Sequence, residues 1–157
     1  MREPTIWPGW PVVLRWLLAP LVAGIVLGVV WWLAAPGGRL YGNGSDYQQW
    51  LPRDLVFEGL AALAAIVVVV FVVRAHIRFG FAARYLAALV GSGIGSVFMW
   101  LTGTGLGQLL GSSRKDPSVD GSAFGLDALS AIALWPAIVA IVVLALVTVL
   151  WSPPARR

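Results

Sequence analysis

The sequence contains no cysteine and only one histidine, His76. Without thiols there is no disulfide framework, no thiolate metal ligand and no thiol nucleophile, and one imidazole cannot build a multi-histidine cluster within a chain. No metal and no other cofactor is therefore expected. Charge is scarce as well: charged residues make up 11% of the chain, against roughly 25% in a soluble domain. With 59% hydrophobic residues, such a chain needs a solvent other than water for its surface.

Long apolar sequence is what it has. Four runs, about 12–34, 55–79, 82–110 and 126–151, each reach the length of about 20 residues that crosses a hydrocarbon core. They predict an all-α polytopic membrane protein: a single domain over 1–157, folded as a bundle of four transmembrane helices with outer connections at 35–54 and 111–125. The first run has tryptophan at both ends, and Ala34-Ala35-Pro36-Gly37 offers no small-x-small cleavage site, so it is expected to stay as an anchor.

The formal charge of +4 does not point to nucleic acid, because the cations sit at the ends of apolar runs instead of on one face. One side of the bundle holds Arg2, Arg15, Arg74, Arg78, Arg84, Arg156 and Arg157 with Glu3; the other holds Arg39, Arg53, Arg114 and Lys115 with Asp46, Asp54, Glu58, Asp116, Asp120 and Asp127. The positive-inside rule then places both termini in the cytoplasm and the chain in the cell membrane as a multi-pass protein. Arg74, Arg78 and Arg84, around the short second connection, are expected at lipid phosphates, with His76 an interfacial side chain among them.

Along the chain, Trp7 and Trp10 suit the headgroup layer, and Pro8 and Pro11 are expected to keep the backbone non-helical until the first span begins. Within that span Gly24 and Gly28 form a GxxxG pair, which lets a neighbouring helix approach closely. Trp31 and Trp32 mark the interface, and Pro36-Gly37-Gly38 stops the helix. Tyr41, Tyr47 and Trp50 are expected to lay the first outer connection on the headgroup layer. Asp54 is expected to cap the second span, with Glu58 one turn further in beside Arg53 or Arg39.

The third span carries seven glycines between Gly91 and Gly111. Glycine costs close to 1 kcal/mol against alanine in a helix interior, so the row Gly91, Gly95, Gly103, Gly107 and Gly111, interrupted only by Met99, implies a groove for another helix or a break in this one. Beside it, Ser92, Ser96, Thr104 and Gln108 form a polar row able to bond across helices or back to their own chain. The break would fall at GTGLG, where freed carbonyls could hold an ion or substrate together with Asp54 and Glu58. A carbonyl filter lacks its pore helix, and GQLLGSSRK lacks the ending of a phosphate loop. In the fourth span Asp127 is expected as a cap, and Pro136 is expected to kink the helix about a third of the way along and free a carbonyl.

Trp31-Trp32-Leu33-Ala34-Ala35-Pro36, Asp54 with Phe57 and Gly59, the glycine-rich third span and Trp135-Pro136 together resemble a family of small four-span actinobacterial membrane proteins of unknown function. The resemblance implies a cell-envelope setting and brings no activity. From the residues themselves, the central thirds of the spans hold no acid, base or nucleophile, so no catalytic residue is expected and the chain reads as a non-enzymatic accessory or scaffold subunit. Its partners are membrane lipids and another membrane protein or a second copy. The alternative is a small transporter or channel built on Glu58 and a broken GTGLG.

Overall fold

The computed structural model describes residues 9–36, 38–40, 50–75, 80–110 and 124–150. They form four helices, α1 (Trp10–Ala34), α2 (Trp50–Arg74), α3 (Phe81–Leu110) and α4 (Leu134–Leu150), the last preceded by a 3-10 turn over Leu129–Ala133. Each span is long and apolar enough to cross a membrane, and no strand occurs among the described residues. Large aliphatic side chains cover the outside of the bundle as well as its interior: Leu63, Ile141 and Leu144 are 62%, 66% and 65% exposed. A surface of this kind is stable in acyl chains and not in water. The chain is a multi-pass, all-α membrane protein.

The helix boundaries correct several expectations. α1 starts at Trp10, so Pro11 lies in its first turn. There the missing N–H has no intrahelical acceptor to lose, and the ring opens the helix instead of holding the chain extended. α2 starts at Trp50, taking in the end of the expected outer connection, and stops at Arg74 instead of near residue 79. The chain then turns at Gly80, whose φ of 76° favours a residue without a Cβ, and enters α3. α3 runs unbroken through GTGLG at 103–107, so the unwinding considered there does not occur. Pro136 is the third residue of α4 and sits in its first turn, not a third of the way along. The carbonyl it leaves without a helical donor, that of Ile132, accepts the Ser96 hydroxyl of α3 at 2.7 Å.

Like-directed helices pack side by side. Gly91 lies against Leu17, Gly95 against Pro20 and Gly24, Gly28 against Met99, and Gly103 against Trp31, so α1 and α3 run parallel. α2 and α4 do the same: Ala61 and Ala65 pack with Trp135 and Val139, and Val72 shares a cluster with Val143. The α1–α3 contact is the most extensive in the bundle. Its closeness is a backbone matter. A Cβ on Gly24 would overlap the Gly95 carbonyl, one on Gly95 would overlap the Pro20 carbonyl, and one on Gly28 would stand 2.5 Å from the Met99 oxygen. On Gly91 it would be 2.9 Å from the Leu17 oxygen, and on Gly103 it would collide with the Trp31 ring. Gly107 faces Phe124 instead of α1, and Gly111 lies outside the described residues. Met99, which breaks the glycine row, is itself fully buried in the seam.

Two glycines of α3 provide an internal control, since a Cβ on Gly93 or Gly105 meets nothing within 4 Å. Gly24→Ala and Gly95→Ala are expected to lose about 1–3 kcal/mol through overpacking. Gly93→Ala and Gly105→Ala are expected to gain up to about 1 kcal/mol from helix propensity alone. Thermal unfolding in detergent micelles, followed by helical circular dichroism, measures both; an unchanged midpoint for Gly95→Ala contradicts the packing described.

Candidate functional site

The charged residues of the described interior gather at the end of the bundle where α1 finishes and α2 begins. Because α2 starts at Trp50, residues 54, 57, 61 and 65 share its inner face, and Asp54, Phe57, Ala61 and Ala65 are all buried. Asp54 is therefore not the N-cap of its own helix. Its carboxylate accepts the backbone N–H of Ala128 at 2.9 Å and, more weakly, that of Asp127 at 3.4 Å, just ahead of the 3-10 turn that leads into α4. Those amides belong to a helix entrance with no side-chain cap of its own, so Asp54 caps the fourth span from the second.

Asp127, expected as that cap, is used otherwise: its Oδ2 accepts Nη2 of Arg53 at 2.9 Å. The Arg53 side chain is 7% exposed and that of Asp127 is 51% exposed, so the pair is half-screened on one side. The guanidinium also lies over the Phe124 ring, 5.6 Å from its centroid. The Arg53 carbonyl accepts the indole N–H of Trp31 at 3.0 Å. Trp31 in turn meets Phe57 edge-on at 5.0 Å and Phe124 at 4.7 Å, fully buried. One cluster thus ties α1, α2 and the entrance to α4. Sequence reasoning placed the anchors of this clasp as separate caps and interface markers; the available signal was the complementary charge of Arg53 and Asp127 at neighbouring span ends.

The polar row of α3 divides by partner. Ser96 alone bonds across helices, to Ile132. Ser92 returns its hydroxyl to the Ala88 carbonyl and Thr104 to the Trp100 carbonyl, each at 2.7 Å within α3, while Gln108 is exposed. Trp135, buried against Ala61 and Ala65, has an indole N–H without an acceptor. Glu58 lies two turns inside α2, not one, and is half-buried. The expected partner Arg53 is engaged by Asp127, and Glu58 has no hydrogen bond or ion pair among the described residues.

At the opposite end, Arg74 is exposed in the last turn of α2, where a cation suits the helix dipole. Arg84 is half-buried in the first turns of α3, with Nε and Nη1 enclosed and unpaired. Arg78 and His76 lie outside the described residues, as do Asp46, Asp116 and Asp120. Among the described residues no three His, Cys, Asp or Glu side chains come together. The site can hold spans in register; it presents no paired acid and base and no activated nucleophile.

Losing the Asp54 carboxylate strands two amides at a buried helix entrance, so Asp54→Ala is expected to cost about 2–3 kcal/mol and Asp54→Asn less, because the amide oxygen still accepts. A double-mutant cycle of Arg53→Gln with Asp127→Asn is expected to show coupling of about 1 kcal/mol or more, weakened by salt. Additive effects contradict the ion pair.

Comparison of the chain with protein-family models, with curated proteins and with solved structures finds no match in any of the three.

Proposed function

We propose that this protein is a non-enzymatic subunit of a membrane or cell-envelope complex, with both termini cytoplasmic, whose role is to hold or brace another membrane protein. One observation carries the reading: four polar groups of the described interior, on Asp54, Arg53, Trp31 and Ser96, join its own spans. Asp54 caps α4, Arg53 binds Asp127, Trp31 binds the Arg53 carbonyl and Ser96 binds Ile132. Interiors that do chemistry or conduct solutes keep such groups turned towards a cavity. Two concavities, one along α1 from Pro11 to Ala23 and one between α1 and α3 at Trp10 and Ala83, are shallow, apolar and open outwards. The envelope setting rests on the family resemblance, and the orientation on the cationic connection between α2 and α3.

The transporter reading loses its broken helix, since GTGLG is continuous α-helix, and keeps only Glu58. Purification of the tagged chain from native membranes in mild detergent is expected to retain a stoichiometric membrane protein. Recovery of the chain alone, with cation flux in vesicles abolished by Glu58→Gln, reverses the assignment. The absence of native cysteine makes orientation directly readable. Ser112→Cys is expected to react with an impermeant maleimide on intact cells, and Thr5→Cys only after permeabilisation; the opposite pattern inverts the topology.

A further inference from the structure

An accessory subunit needs a surface for its partner, and the glycine face of α3 is already filled by α1 of the same chain. We propose, resting on the accessory reading, that the α2 face bearing Glu58 and Gly59 seats a transmembrane helix of a different protein, one carrying lysine or arginine at the depth of Glu58.

Depth is the first argument. Glu58 lies about 12 Å along the α2 axis from Trp50. It lies within the apolar span, little more than one turn past Arg53 and Asp54, and ionisable groups inside membranes pair with one another or mark function. Among the described residues no cation pairs with it: Arg53, the nearest in sequence, is buried and held by Asp127.

Shape is the second. Leu55, Gly59 and Leu63 follow one another at intervals of four on the outside of α2, and the two leucines are 55% and 62% exposed. Between them Gly59 is exposed, and a Cβ built on it meets nothing within 4 Å. Ala62, one turn from Glu58, is half-buried. The result is a small-residue notch between two leucines, the relief that admits close approach of a second helix. Gly24 and Gly95 show what such a notch does when it is filled, because each accommodates the other helix's backbone.

Charge then selects the occupant. A second copy docking by two-fold symmetry through this face would set Glu58 against Glu58, a like-charge contact that works against association. A foreign helix with a cation at matching depth neutralises the carboxylate and fills the notch together. Glu58 thereby acts as a selector of partner, whereas Gly59 sets how near the partner comes.

A synthetic tryptophan-flanked leucine/alanine helix of about 21 residues tests this. It carries one arginine at the depth of Glu58, and a second peptide carries glutamine there. Association with the full chain is read by fluorescence energy transfer in phosphatidylcholine vesicles. The arginine peptide is expected to bind about tenfold more tightly than the glutamine peptide. Glu58→Gln should abolish the difference, and Glu58→Lys should transfer the preference to a glutamate peptide. Gly59→Leu should weaken both peptides, with helix content and unfolding midpoint held or raised. Equal binding of the arginine and glutamine peptides overturns the proposal, as does a preference that survives Glu58→Gln. If a partner still co-purifies from native membranes with Glu58→Gln, the accessory role stands and this surface falls. If no partner co-purifies with the unaltered chain, the accessory role itself falls.

Discussion

The α1–α3 seam is a contact between two backbones, and the other packing is arranged around it. In hydrocarbon there is no gain from hiding apolar side chains from a solvent that is equally apolar, so helices associate through dispersion, interhelical hydrogen bonds and closeness of approach. Gly24, Gly28, Gly91 and Gly95 make that approach possible by having nothing at Cβ, and carbonyl oxygens of the facing helix occupy the space. The parallel direction of α1 and α3, set by the single crossing between them, is read directly in this register. α2 and α4 are then left to pack on each other and across the pair, with Trp135 reaching between them to the Gly95 side of α3.

The clasp at the other level of organisation solves a different problem. A helix entrance near the membrane boundary exposes backbone N–H groups that must find acceptors. The chain meets that demand with a carboxylate borrowed from α2 instead of a local cap, so one residue joins two spans. Arg53 and Asp127 repeat the connection with opposite charge, and the Trp31, Phe57 and Phe124 rings pack beside it. The Pro136 and Ser96 pair follows the same rule deeper in the bundle: proline removes a donor, and a hydroxyl from the neighbouring helix supplies one.

Much of this was legible in the sequence, for identifiable reasons. Apolar length gave four spans because hydrocarbon thickness leaves little latitude, and the spacing of four among glycines marked a helix face because α-helical geometry is rigid. The ends were less legible. Pro11 read as a breaker, although in a first turn it costs nothing, so α1 begins earlier than the apolar pattern does, and α2 likewise takes in the residues from Trp50 ahead of its apolar run. Asp54 and Asp127 both look like local caps. Which amide each one serves depends on the approach of α2 to the α4 entrance, a long-range fact that no local pattern records. The glycine row likewise named a face without naming its neighbour. GTGLG looked able to unwind because glycine permits it, but Gly103 and Gly107 are held in helix by Trp31 and Phe124 packed against them.

The parallel seam has a consequence for how the protein is made. Spans leave the ribosome in order, and α1 finishes long before its principal neighbour exists. The hairpin of α1 and α2 therefore waits in the bilayer with its glycine notch vacant until α3 is delivered on the far side of a second crossing. In an arrangement of sequential antiparallel neighbours each span would instead meet its main neighbour as soon as that neighbour enters the bilayer.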